Sequence, residues 1–540
     1  MSDVPLRSQS STTEIPTPLL PLLSILSSAF LFVQDRFRRI PGSPIIVRYI
    51  QSSYQDDPYR SLLEVLLLAF ALRTLLKGRT REEGSGKNFI KLTEKEIDDL
   101  VDEWQPVPLI DAPGEIDEET LDSIPTIYGP NGIKIKLSPG GKPVLNMATP
   151  NWTGMMENEK MKEVAITTLR SYGVGTCGPA GFYGYLDVHM RFEAEVAAFL
   201  GVEACIMYSQ GFAAISSVIP AFAKRGDIIV ADRGVNFAIQ KGLQISRSQI
   251  RFYAHGDMKD LERVLQQVER EQKRKGSKLT KKFIVAEGVF ENDGMMLDLP
   301  KVCELKKKYK YRLILDETQS FGMIGKHGRG VTEFYNFPAK EVDMIVGSMA
   351  TSLATGGGFC AGSEVVCQHQ RINSSASVFS ASLPALLATA SSTAVSLLQS
   401  NPSLLTSLAT NIAAFRHHLS KIEPVSIPEQ DSNSSPSSQA NKDAIIHVPS
   451  HPSSALIHIF LLNPPDTMEA EERLLQEVVD ELLSTSGVLI TRARRLRGQE
   501  QFEPEPSLKV CISGAMSKKD VEKAAQGLRS ALIKVAGKKR

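Results

Sequence analysis

The sequence predicts an α/β protein, with a largely parallel sheet covered by helices, a small α+β domain after it and a membrane helix ahead of it. Three observations predict this. From about Val144 to Leu419 short apolar runs alternate with helical patterns, which argues for parallel strands joined by crossover helices. Beyond Ala455, strand-like and amphipathic helical stretches follow one another in a smaller unit. Near the start, Tyr59 to Leu76 is about long enough to span a bilayer, and its centre, Val65 to Leu72, is uninterrupted apolar sequence.

The bulk numbers bound the rest. At 540 residues the chain suggests two or three folding units with appendages. Apolar content of 42% with 23% charged residues is that of a globular protein with a core to bury. A net charge of +1 gives no general attraction to nucleic acid. Six cysteines, at 177, 205, 303, 360, 367 and 511, lack paired metal-ligand spacing, which fits reduced cytosolic thiols and neither a zinc site nor a disulfide framework.

Taken in order, residues 1–16 are polar and expected to be disordered. Thr17 to Val33 is apolar but contains Pro18 and Pro21, and Arg36, Arg38 and Arg39 follow, so an interfacial or marginal membrane segment is expected. Residues 1–57 thus form a membrane-associated N-terminal segment and 58–77 the transmembrane helix, with Glu64 and Arg73 near its ends. An amphipathic helix packed on the globular part is the plainer alternative. Basic residues flank the block on both sides and leave its orientation open. Residues 78–143 connect it to the body, and within them Lys91 to Trp104 reads as a helix with Thr93 and Glu96 spaced as a capping box, ended by Pro106, Pro108 and Pro113.

The large domain is expected over 144–420, with strands at Ala204–Tyr208, Asp227–Ala231, Phe283–Ala286, Leu313–Leu315 and Met344–Val346. Gln267 to Lys282 reads as a solvated basic helix end and loop. The small domain takes 421–540, with a flexible Ser- and Pro-rich insert at 428–454. After the insert, strands are expected at Ala455–Leu461, Val488–Thr491 and Ser507–Ile512, with helices at Met468–Leu483 and Lys518–Val535.

Active sites in such sheets lie at the carboxyl ends of the strands, where Glu287, Asp316 and the loop after Val346 all fall. An apolar strand ending in Asp316, then a second apolar segment running into the small-residue loop Gly347–Gly358, is a common way to build a pyridoxal phosphate site. The acid would face the ring nitrogen and a loop lysine would carry the Schiff base. This loop has no lysine. Two further stretches carry weaker signals: the glycine-dense run Gly173 to Gly184, with His189 and Glu193 on the helix after it, and Tyr208 to Ala214, a strand-to-helix turn whose amides could meet a phosphate.

In order and spacing these pieces resemble the α-oxoamine synthases, fold-type-I pyridoxal phosphate enzymes that join an amino acid to an acyl-CoA. The marks are the Gly-rich run, Asp316-Glu317 with Gly322, Gly325 and Gly328-Arg329-Gly330, and Gly347 with Gly357-Gly358. Phe182-Tyr183-Gly184, Asp232 to Gly242, Asp57-Pro58-Tyr59-Arg60 and Glu103-Trp104-Gln105-Pro106 are most similar to the long-chain-base-1 subunits of serine palmitoyltransferase. The resemblance implies a seven-stranded, mainly parallel sheet and places Thr351 at the Schiff-base lysine position, with Asn236 and Gln319 where active members carry histidines. No residue of this chain is then catalytic. Asp316 becomes a remnant of cofactor binding, its plainer role being a strand-end carboxylate that satisfies backbone donors.

The same resemblance implies that Ser380 reaches the cofactor phosphate held by a neighbouring subunit, and that Cys177, Gly178, Phe182 and Tyr183 shape that subunit's substrate site. For Cys177 the plainer reading is a small buried thiol. Ala180 stands where related chains carry arginine. The implied partner is a lysine-bearing long-chain-base-2 subunit that holds pyridoxal 5'-phosphate and condenses L-serine with palmitoyl-CoA to 3-oxosphinganine. A small activating subunit, sphingolipid-sensing regulators and an endoplasmic reticulum membrane, with the globular part facing the cytosol, are implied with it. Two other readings stay open: an autonomous enzyme using Lys241 or Lys326, and a membrane scaffold that regulates lipid synthesis.

Overall fold

The computed structural model describes residues 41–76, 92–104, 124–275, 280–423, 444–496 and 498–537, together with Arg36 and Arg39. The chain divides into two compact units, residues 1–118 and 119–540. The apolar segment expected at Thr17–Val33 lies outside the described residues.

The first unit contains α1 (Ser43–Asp56), α2 (Pro58–Leu76) and α3 (Glu94–Glu103). Asp57 separates α1 from α2 and caps the latter, its Oδ1 accepting the amides of Tyr59 at 3.0 Å and Arg60 at 3.1 Å, while Pro58 supplies a first helical residue with no N–H to satisfy. The expected transmembrane helix is therefore present as a helix of 19 residues. Among the described residues no helix is long and apolar enough to cross a membrane, and α2 carries Arg60, Glu64 and Arg73 within 19 residues. Its leucines nonetheless point outward on every side, and Leu66 and Phe70 are 58% and 68% exposed. In α3 the expected capping box forms, with Thr93 Oγ1 accepting the Glu96 amide and the Glu96 carboxylate accepting the Thr93 amide at 2.7 Å.

The second unit is built on a seven-stranded sheet of β3 (Ala204–Tyr208), β4 (Ile228–Asp232), β5 (Gln249–Tyr253), β6 (Lys282–Glu287), β7 (Arg312–Asp316), β8 (Met344–Ser348) and β9 (Gly358–Gly362). Two short strands, β1 (Lys134–Ile135) and β2 (Val144–Asn146), precede it. The order is β3-β9-β8-β7-β6-β4-β5, parallel from β8 through β5, with β9 antiparallel to both its neighbours. Strands β6 to β8 are apolar runs buried on both faces, as parallel strands covered by helices must be. The helices of this unit include α4 (Glu159–Tyr172), α5 (Asp187–Leu200), α6 (Gly211–Phe222), α7 (Phe237–Ser246), α8 (Met258–Lys275), α9 (Leu299–Tyr309), the one-turn α10 (Met349–Ser352), α11 (Ala385–Ser400) and α12 (Ser403–Leu419).

The small C-terminal domain is a four-stranded sheet ordered β10 (Ile446–His447), β11 (Leu456–Leu461), β14 (Leu508–Cys511), β13 (Thr491–Arg492), with α13 (Met468–Ser486) and α14 (Lys518–Val535) packed together. β12 (Val488–Leu489) leaves that sheet and pairs in parallel with β2, tying residues 144–146 to the small domain. Part of the insert expected at 428–454 lies outside the described residues. From Ala444 onward, however, the chain is built into the fold, because Ile446 and His447 pair with Leu461 and Phe460.

Candidate functional site: a closed centre at the carboxyl ends of the strands

Adjacent strands place two acids side by side. β6 ends in Glu287 and β7 in Asp316, and these two residues are register partners. Both are buried. Asn236, the residue before α7, donates to both: its backbone N–H to Glu287 Oε1 at 2.7 Å and its side-chain amide to Asp316 Oδ2 at 3.2 Å. Its own Oδ1 accepts the Ile239 amide at 3.0 Å, so the same side chain also caps α7. Asp316 Oδ1 takes the Thr318 amide at 2.9 Å and Glu287 Oε2 takes the Glu291 amide at 3.0 Å.

Electrostatically this is a desolvated carboxylate pair. Burial first, and then the Asp316 charge, push the Glu287 carboxyl well above the usual range, and burial raises Asp316 against the hydrogen bonds from Thr318 and Asn236. Such a pair favours holding a proton. Next along the chain, Glu317 is also buried; burial lifts it to about 7, opposed by the Ser320 hydroxyl and the Val331 amide. Gly330 is required here, since a Cβ at that position would lie 2.3 Å from Glu317 Oε2.

The loop after β8 is tied to the turn that follows Asp316. Ser348 caps α10, and Thr351, on that single turn, donates its hydroxyl to the Thr318 carbonyl at 3.0 Å. Thr351 therefore ties its loop to the residue two beyond Asp316. Gln319 is buried in the same turn. Among the described residues, no lysine donates to Asp316, Glu287 or Thr351. Lys241 and Lys326 are elsewhere: Lys241 reaches the Gln499 carbonyl at 3.0 Å and lies over the Phe237 ring, while Lys326 sits at a cavity of about 650 Å³ that none of these centre residues lines.

A second cluster brings together the remaining predicted positions. The Thr176 hydroxyl donates to the Ser382 carbonyl at 3.0 Å, and the Ser382 amide donates to the Gly178 carbonyl at 3.0 Å, so the Gly-rich loop and the segment holding Ser380 form one surface. Gly184 must be glycine, because a Cβ there would fall 1.9 Å from the Gly178 carbonyl oxygen. Tyr183, at φ +68°, is 99% exposed, and Phe182 beside it is exposed as well. Cys177 is exposed, at φ +58° in the left-handed region, which goes against the plainer reading of a small buried thiol. Ser380 lies 3.3 Å, oxygen to oxygen, from Ser209, just ahead of α6, a neighbour that sequence spacing gave no sign of. His189 and Glu193 have structural work: His189 bridges the Leu186 amide and the Leu383 carbonyl, and Glu193 takes the Met207 amide and Arg371.

A parallel sheet with a strand-end acid and a following loop that closes on it is the build of the class I and II aminotransferases, whose family model matches residues 142–528. The chain belongs to that family and, within it, to the group containing serine palmitoyltransferase 1 and the long chain base biosynthesis proteins 1. It is 37% identical to serine palmitoyltransferase 1 of Saccharomyces cerevisiae over 95% of this chain and 96% of the yeast protein. It is 38% identical to long chain base biosynthesis protein 1b of Oryza sativa subsp. japonica over 81% of this chain and 85% of the rice protein. Among solved structures, one described as SPT with PLP internal aldimine superposes with a TM-score of 0.65 at 21% identity, covering 77% of this chain and 96% of that one, a likeness in fold.

Proposed function

We propose that this chain is the non-catalytic subunit of a serine palmitoyltransferase, working with a lysine-bearing partner that condenses L-serine with palmitoyl-CoA to 3-oxosphinganine, the opening step of sphingolipid synthesis. The observation that carries this is Thr351. A covalently held pyridoxal phosphate needs an amine, and the residue in the loop over Asp316 offers a hydroxyl already committed to the Thr318 carbonyl. The residues present do not fit the cofactor, and no chemical step is assigned to this centre. Reaction chemistry belongs to the partner, and this chain supplies shape and contacts.

The surface made by Thr176, Gly178, Phe182, Tyr183 and the Ser380 segment is the part of this reading that faces the partner. Exposed aromatic rings on a hydrogen-bonded loop are suited to an interface core. Ser380 is the proposed donor to the partner's cofactor phosphate, with Cys177 close to its substrate site. Outward leucines along α2 support attachment to a membrane, which we place at the endoplasmic reticulum with the second unit on the cytosolic side, where acyl-CoA is met. Small activating and sphingolipid-sensing subunits complete the proposed assembly.

Co-expression tests this. The chain expressed with a lysine-bearing homologue is expected to produce 3-oxosphinganine from L-serine and palmitoyl-CoA, and either chain alone is expected to produce none. Full turnover by the partner without this chain would overturn the subunit role. Ser380→Ala in the pair is expected to weaken cofactor retention about tenfold, the scale of one hydrogen bond to a charged group.

A further inference from the structure

Away from the centre, one histidine stands between two carboxylates. His255 follows β5, and its Nδ1 lies 2.6 Å from Oδ1 of Asp232, the fully buried last residue of β4. Its Nε2 lies 2.7 Å from Oδ2 of Asp293, on the loop between β6 and α9. Carboxylates only accept, so a proton on each ring nitrogen satisfies both contacts and makes the ring an imidazolium. Burial works against that charge, but the hydrogen bonds to Asp232 and Asp293 outweigh it and hold the ring at about 10. With both nitrogens engaged, the ring has no lone pair for a metal or for general-base work.

Each carboxylate also grips backbone. Asp232 takes the amides of Gly234 at 2.6 Å and Gly256 at 3.0 Å, and Asn292 Nδ2 donates to the Gly234 carbonyl at 3.2 Å. Asp293 and Gly294 in turn hold the small domain: the Ser450 hydroxyl donates to the Asp293 carbonyl at 2.5 Å and the His451 amide to the Gly294 carbonyl at 2.9 Å. The Ser450 oxygen also accepts the His458 amide of β11 at 2.9 Å. Both glycines are forced by these approaches. A Cβ on Gly234 would sit 2.3 Å from His255 Nδ1, and one on Gly294 would meet the Leu456 carbonyl oxygen at 2.5 Å.

We propose that His255 is a positioning residue, a charged pin between Asp232 and Asp293 that sets the small domain against the large one and holds segments 232–236 and 287–293 in register around the strand ends. Removing the pin should free the loop that Ser450 and His451 grip, leaving the sheet intact. The inference is independent of the proposed function, since it concerns contacts inside this chain.

Amide hydrogen exchange on the full chain, in its native complex, tests it. His255→Gln leaves two carboxylates facing each other without a cation, and Asp293→Asn removes one of the cation's two acceptors. Each is expected to speed exchange at least tenfold in 288–297 and 447–461, with α4 and α11 unchanged. The double variant His255→Gln with Asp293→Asn pairs neutral amides and is expected to recover most of the lost protection. Wild-type exchange in both single variants, an increase spread evenly over the chain, or a double variant no better than the singles would overturn the proposal.

Discussion

Asn236 does three things with one side chain and one amide: it caps α7, holds Asp316 and holds Glu287. Asn236→Ala is expected to destabilise the chain by about 1–3 kcal/mol in chemical denaturation, a lost cap plus a buried acceptor left short. Asn236→Asp keeps the cap but adds a third carboxylate beside two buried ones, so its deficit against wild type should be larger at pH 8 than at pH 5. The pair itself has a sign. Both acids are raised in the folded state, so their contribution to stability is full below the unfolded carboxylate range and is lost as pH rises through the folded values. His255 follows the same rule, its contribution full below about 6.5 and lost as pH climbs through about 10. Stability curves of wild type and His255→Gln should therefore converge towards pH 10. The titratable groups that face that ring are Asp232 of β4 and Asp293 of the loop, with Tyr253 of β5 beside Asp232. Tyr253 is held well above its ordinary range by burial and so does not confuse the titration.

Among the elements, the strands that were legible in sequence are the buried apolar ones. Ala204–Tyr208 matches β3, and Met344–Val346 and Leu313–Leu315 fall within β8 and β7. In the seven-stranded sheet two strands gave too little pattern. β5, Gln-Ile-Arg-Phe-Tyr, is an edge strand with polar positions, and β9, Gly-Phe-Cys-Ala-Gly, looks like loop because its two glycines fit where backbone and side chains press in. Sequence also could not show that the Gly-rich loop bonds to the Ser380 segment, a contact between residues about two hundred apart. That bond gives a prediction at its own scale: Thr176→Val removes the donor to the Ser382 carbonyl, and pull-down with the partner chain is expected to weaken severalfold while the melting temperature of this chain moves little. Helix α2 was legible as a helix; with Arg60, Glu64 and Arg73 in it, no helix among the described residues is long and apolar enough to cross a membrane. Its outward leucines still call for a cover. Leu66→Glu with Phe70→Glu should shift the chain from the membrane pellet to the soluble fraction.

For the molecule as a whole, the fold is that of the pyridoxal phosphate transferases, and the acids at its centre are satisfied by groups of this chain. That the loop from Gly347 to Gly358 has no lysine was visible in sequence; that Thr351 bonds to the Thr318 carbonyl, and that Asn236 bridges both acids, needed three dimensions. A closed centre explains why Thr351→Lys alone should not produce turnover by this chain without a partner. The most direct test is to reduce the active complex with borohydride and map the phosphopyridoxyl group by mass spectrometry. The label is expected on one lysine of the partner and on no peptide of this chain. A labelled lysine in this chain, Lys241 or Lys326 included, would contradict it.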